Sequence, residues 1–83
     1  MKMEEQIREK LDSTFQPEVL VIKNQSHLHA GHAGDDGSGE SHFKIEISAN
    51  CFGDASRVAR ERHIYQALEA EMKIIHALTI KFL

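Results

Sequence analysis

Two short stretches with the two-residue rhythm of a β-strand, separated by a long stretch of helical period, restrict this chain to few folds. Phe43, Ile45 and Ile47 alternate with Lys44, Glu46 and Ser48, the pattern of a strand with one buried face. The same alternation returns in His76–Ala77–Leu78–Thr79–Ile80–Lys81–Phe82. Val19–Leu20–Val21–Ile22 is too short for a helix and apolar on both parities, which predicts a strand buried on both sides. From Ser56 the period turns helical. Val58, Tyr65, Leu68 and Met72 form the expected main stripe, widened by Ile64, Ala67 and Ile75, with Asp54 or Ser56 as N-cap. A first helix is expected near the N-terminus, where Met3, Ile7 and Leu11 recur on one face and Glu4, Glu5, Arg8, Glu9 and Asp12 on the other. Pro17 ends it, because the residue before a proline is driven out of the right-handed helical region.

The expected fold class is therefore α+β in the order α-β-β-α-β, a three-stranded mixed sheet with helices packed on one face. The first two strands are expected to run antiparallel. A long helical crossover would return the third parallel to the second, with right-handed sense. Residues 1–83 are read as one domain. A chain of this length buries roughly 60% of the surface it exposes unfolded, enough for one sheet covered on one side and too little for a separate catalytic domain.

Charge and cysteine content narrow the setting. The formal net charge is −3, and no apolar run approaches the ~18 residues of a membrane span. The charged start Met1–Lys2–Met3–Glu4–Glu5 resembles neither a secretory h-region nor a transit peptide. The single cysteine, Cys51, excludes an internal disulfide and fits a reducing compartment; its default reading is buried and inert. A cytoplasmic protein without membrane association is expected.

The chemistry concentrates in the connection between the first two strands, residues 25–41, read as a flexible loop rich in histidine and glycine. His27, His29, His32 and His42 fall within sixteen residues, and neutral imidazole is the commonest protein metal ligand. The loop histidines alternate too quickly for a zinc-finger spacing, and no Cys-x-x-Cys completes a structural site. An iron–sulfur centre normally takes four cysteine thiolates, with two imidazoles replacing them on one iron in some centres. With Cys51 alone, this chain has one iron–sulfur role open to it, lending imidazoles to a cluster whose other ligands come from a partner. Ser26 and Ser41 beside histidines lack a held base and an oxyanion site, so an enzyme is not expected. Asp35–Asp36–Gly37–Ser38–Gly39–Glu40 lacks the alternating acids of a calcium loop.

Ser41–His42–Phe43–Lys44, Phe52–Gly53, Ser56–Arg57–Val58–Ala59–Arg60–Glu61–Arg62–His63–Ile64–Tyr65 and Ile75–His76–Ala77–Leu78 together resemble the BolA family, over about Val21 to Phe82. The resemblance implies an α-β-β-α-β fold similar to the class II KH domain. It also implies a heterodimer with a monothiol glutaredoxin, in which the two proteins share a [2Fe-2S] cluster with glutathione. The family's C-terminal histidine ligand carries over onto His76. The second ligand comes from the β-β loop, where counting back from His42 favours His32 and counting forward from Ser26 favours His29; His32 is preferred. One departure is Arg60–Glu61–Arg62, where the family often has Arg-His-Arg, which weakens an anion-binding role for that patch.

Some BolA proteins are described as transcriptional regulators, so DNA is the alternative partner. Arg57, Arg60 and Arg62 lie close on one helix and Lys44 is expected nearby. Phosphate contacts from three or four basic groups give weak, strongly salt-dependent binding. The arginines read rather as a solvated helix face or a protein-docking surface. Gly31–His32–Ala33–Gly34 formally fits the GxxG clamp of KH domains, but lies between strands where the clamp joins helices.

Overall fold

A computed structural model describes residues 2–26 and 41–83. Helix α1 (Met3–Phe15) leads into strand β1 (Val19–Asn24); β2 (His42–Ser48) is followed by a 3-10 turn (Asn50–Phe52). Helix α2 (Arg57–Ala67), a short α3 (Glu69–Met72) and β3 (Ala77–Phe82) complete the described chain. The sheet order is β1-β2-β3, with β1 antiparallel and β3 parallel to β2. Both the element order and the strand directions are those read from the sequence.

Helix α1 forms as its spacing dictates, burying Met3, Ile7, Leu11 and Phe15. It stops at Gln16, whose φ of 48° lies in the left-handed region and whose N–H reaches Asp12 O at 3.1 Å. Pro17 closes the right-handed alternative to that residue. The sheet answers with rows set by register: Ile22, Ile45 and Ile80 lie side by side, and Leu20, Ile47 and Phe82 form the next row. Ile64, Leu68 and Ile75 seal the core from the α2–α3 side.

Two packing expectations are corrected. Strand β1 is not buried on both sides, since Val19 and Val21 are 44% and 36% exposed. They share the uncovered face of the sheet with Lys23, Lys44, Glu46, Thr79 and Lys81, so an apolar run on both parities here marks an edge strand with one open face. The long helix also buries a different stripe. Ile64, Leu68 and Ile75 are inside, whereas Val58 is 57% exposed and Tyr65 40%. The stripe continues through Glu71, a buried carboxylate paired with Lys10 at 3.5 Å. Apolar periodicity does not reveal Glu71 there, because its side chain is charged. The break at Leu68 divides what reads as one helix into two.

Ser56 is the N-cap of α2, its hydroxyl accepting from Ala59 N–H at 3.1 Å. Gly53 adopts φ 53°, ψ −128° at the end of the 3-10 turn, a conformation that side chains disfavour. That explains why glycine follows Phe52. Cys51 is exposed rather than buried, and its thiol donates to Phe15 O at 3.3 Å.

Candidate functional site

The polar residues of interest gather at one end of the sheet, where β1 ends and β2 and β3 begin. Ser26, Ser41 and His42 are all buried there. Their burial is tolerable because their hydrogen-bonding groups are engaged. Ser26 Oγ accepts the N–H of Ser41 at 2.9 Å and of His42 at 3.0 Å, and donates to His42 O at 3.4 Å. Gln25 N–H also reaches His42 O, at 2.8 Å. Gln25, Ser26 and Ser41, at the two ends of the 25–41 segment, are held by these bonds; the stretch between them, and with it the reading of the segment as a flexible loop, lies outside the described residues. His27, His29 and His32, and the Gly31–Gly34 match, lie outside the described residues.

Ser41 joins this knot to β3. Its carbonyl accepts from His76 N–H at 2.7 Å and from Ala77 N–H at 3.1 Å. Its hydroxyl lies 2.7 Å from His42 Nδ1. The result is a close pair of imidazoles, with the His42 and His76 ring centroids 5.2 Å apart and the planes at 47°. His76 is exposed. Two imidazoles on one tetrahedral metal, at ~2.05 Å from ring nitrogen to metal, place their centroids about 5 Å apart. The spacing of this pair matches that requirement. Among the described residues no three ligating side chains come together, so the described part of the chain offers a pair of nitrogens and no closed metal cage. The donor set fits a metal centre completed by a partner.

His42 was visible in the sequence as one of the clustered histidines, but its place beside His76 was not. The signal that finds it is register: β2 runs parallel to β3 with His42 opposite Ala77, one residue from His76.

The basic residues do not form one patch. Arg57 pairs with Glu61 at 3.0 Å on the exposed side of α2. Arg62 borders a shallow hollow with Tyr65, Gln66 and Glu69. Arg60 turns inward, its guanidinium carbon 4.7 Å from the Phe82 ring centroid and its Nε buried without a hydrogen-bond partner. That contact is a cation–π stack on a core aromatic, so Arg60 is not part of a solvated face. Lys44 is not near the arginines as expected: it projects from the open side of the sheet, opposite the helices, beside Glu46 at 3.7 Å. On that open face the Lys23 ammonium, hydrogen-bonded at 3.3 Å, holds the Glu46 carboxyl below its ordinary pKa, with Lys44 and Lys81 adding to the effect.

A three-stranded α+β domain with two imidazoles side by side at one end of its sheet defines the class. Residues 11–83 match the family described as BolA-like protein, and the chain belongs to the BolA family. It is 43% identical over 83 residues to an uncharacterized protein in the cobS 5′ region of Sinorhizobium sp, covering 98% of this chain and 89% of that one. It is 40% identical over 81 residues to the DNA-binding transcriptional regulator BolA of Haemophilus influenzae, covering 96% of this chain and 75% of that protein. The solved structure of BolA1 from Arabidopsis thaliana superposes with a TM-score of 0.87 at 36% identity, covering 99% of this chain and 90% of that one. The expected family and fold class stand. Among the described residues no helix is long and apolar enough to cross a membrane.

Proposed function

We propose that this protein is a non-enzymatic, cytoplasmic adaptor that forms a heterodimer with a monothiol glutaredoxin. In that complex it supplies imidazole ligands to a shared [2Fe-2S] cluster, whose remaining ligands come from the glutaredoxin and glutathione. The role is in iron–sulfur cluster trafficking or iron and redox regulation. The observation that carries this reading is the His42–His76 pair, 5.2 Å between centroids at one end of the sheet. His76 is the fixed ligand. The second imidazole comes from the β1–β2 connection, for which the sequence nominates His32 and His29, or is that of His42 at the start of β2, the neighbour of His76.

Such a cluster would supply one-electron chemistry and a transferable iron–sulfur unit. Replacing thiolates by neutral imidazoles makes it less anionic and raises its potential. This chain's own residues hold the imidazoles in place and set their direction.

The test is a titration of this protein into cluster-loaded monothiol glutaredoxin with glutathione, followed by visible circular dichroism. Wild type should give a new spectrum saturating near one equivalent, and His76→Ala should alter or abolish it. Single alanine variants of His29, His32 and His42 then identify the second ligand. Retention of the new spectrum when His76 and all three of those histidines are replaced would overturn the reading.

DNA binding is the second reading, favoured by the name of the Haemophilus relative and by Lys23, Lys44 and Lys81 on the open sheet face. It predicts salt-dependent affinity for duplex DNA that falls on Lys44→Ala or Arg57→Ala and is indifferent to His76→Ala.

A further inference from the structure

We infer that the outer face of α2 and α3, marked by Arg62, Tyr65, Gln66 and Glu69, is a self-complementary docking surface that takes a second copy of this chain in an antiparallel, two-fold pairing. The inference is independent of the cluster reading and of the histidine pair. The four residues stand at i, i+3, i+4 and i+7, one stripe of a helix. The helical course carries across the break at Leu68, whose N–H reaches Ile64 O at 3.0 Å and whose carbonyl accepts from Met72 N–H at 2.8 Å. All four side chains therefore border one shallow hollow, and all are exposed.

Two features mark this stripe as a contact surface. Tyr65 is 40% exposed although Ile64 and Leu68 beside it are fully buried, and tyrosine and arginine are the residue types that dominate binding interfaces. Among the described residues, neither Arg62 nor Glu69 joins an ion pair, whereas Arg57 on the same helix is paired with Glu61. Symmetry then identifies the occupant. Seven residues of helix rise about 10.5 Å, so Arg62 and Glu69 stand at equal distances on either side of a midpoint between Tyr65 and Gln66. Turning the stripe end for end about that midpoint exchanges the two charges. A second copy laid antiparallel sets Arg62 against the partner subunit's Glu69, and Glu69 against the partner subunit's Arg62. The Tyr65 rings of the two copies meet on one side of the contact and the Gln66 amides on the other. Such an isologous contact closes at two copies. DNA or an acidic surface is less suited, because a partner of single sign attracts one of these charges and repels the other.

The stripe is one helix wide, so the contact belongs to the small, transient class that buries less than about 1,200 Å². Sedimentation equilibrium of the full chain alone, at concentrations up to about 1 mM, reads a dissociation constant of that class. The variants are Arg62→Glu, Glu69→Arg and the two combined. Both positions are exposed, and far-UV circular dichroism checks that each variant keeps its fold.

Wild type should rise above the monomer mass with concentration. Each single variant should raise the dimer dissociation constant about tenfold or more, since it turns two attractive pairs into two repulsive ones. The two substitutions move the net charge in opposite directions, so a general charge effect cannot weaken both. The combined variant restores both pairs with their signs exchanged and should return the constant close to its wild-type value. A wild type that stays monomeric at about 1 mM leaves the stripe to a different partner and overturns the inference. So does a dimer that either single variant leaves intact, or one that the combined variant fails to restore.

Discussion

The imidazoles of His42 and His76 face each other across the first step of the parallel β2–β3 pair, 5.2 Å between centroids. Neighbouring parallel strands run about 4.8 Å apart, and His76 sits one residue before β3, ahead of the strand's regular alternation, with its ring beside that of His42. The crossover through α2 and α3 is what makes the strands parallel and brings position 76 back to position 42. A hairpin return would have placed the end of β2 there instead. The local chemistry of the pair thus depends on a global feature of the topology.

Packing determines where substitutions cost most. Ile64 is fully buried at the centre of the helical stripe, while Val58 is 57% exposed on the same helix. Ile64→Ala should destabilise by about 2–5 kcal/mol. Val58→Ala should stay within about 0.5 kcal/mol. Urea unfolding of the two variants checks the contrast.

The arginines of α2 should separate in the same assay. Arg60→Ala removes the stack on Phe82 and the aliphatic stem that covers it, and should cost about 1–2 kcal/mol. Arg57→Ala breaks an exposed pair with Glu61 and should cost about 0.3–0.5 kcal/mol. Loss of DNA affinity in Arg60→Ala would therefore be confounded by stability, and Arg57 and Arg62 are the better probes.

Glu46 gives a pH prediction. Its folded pKa is lowered, first by the Lys23 hydrogen bond, so the folded state binds that proton less readily than the unfolded one. The associated stabilisation is present above the unfolded glutamate pKa and is lost as pH falls through the lowered folded value. An NMR titration of the side-chain carboxyl should show the depressed midpoint, and Lys23→Ala should move it back toward the ordinary glutamate range.

Gly53 should resist substitution for a conformational reason. Space is available there, since a Cβ would meet nothing within 4 Å, but φ is +53°. Gly53→Ala should cost of order 1–3 kcal/mol through backbone strain. An unfolding midpoint equal to wild type would show that the turn relaxes to another conformation.

Much of the fold was legible because each strand and helix carries its own period: Ile45 and Ile47, or Ile7 and Leu11, state their burial in a few residues. Two kinds of information were not local. Which side of β1 is covered depends on where the helices lie, and Val19 and Val21 carry no sign of it. The true phase of α2 depends on the break at Leu68 and on accepting a glutamate, Glu71, inside the stripe. In the site, His76 stood out by its motif, and its partner lay hidden in strand register. Ser41 showed in the sequence only as a serine beside histidines and as the start of the Ser41–His42–Phe43–Lys44 motif, because its contacts to His42 and His76 exist only in the folded chain.

The central claim, that histidines of this chain ligate the shared cluster, is tested most directly by pulsed EPR of the reduced glutaredoxin complex. The account predicts hyperfine coupling from two histidine nitrogens in wild type, with one lost in His76→Ala. A reduced cluster in the complex with no histidine nitrogen coupling, or with couplings untouched by His76→Ala, would contradict it.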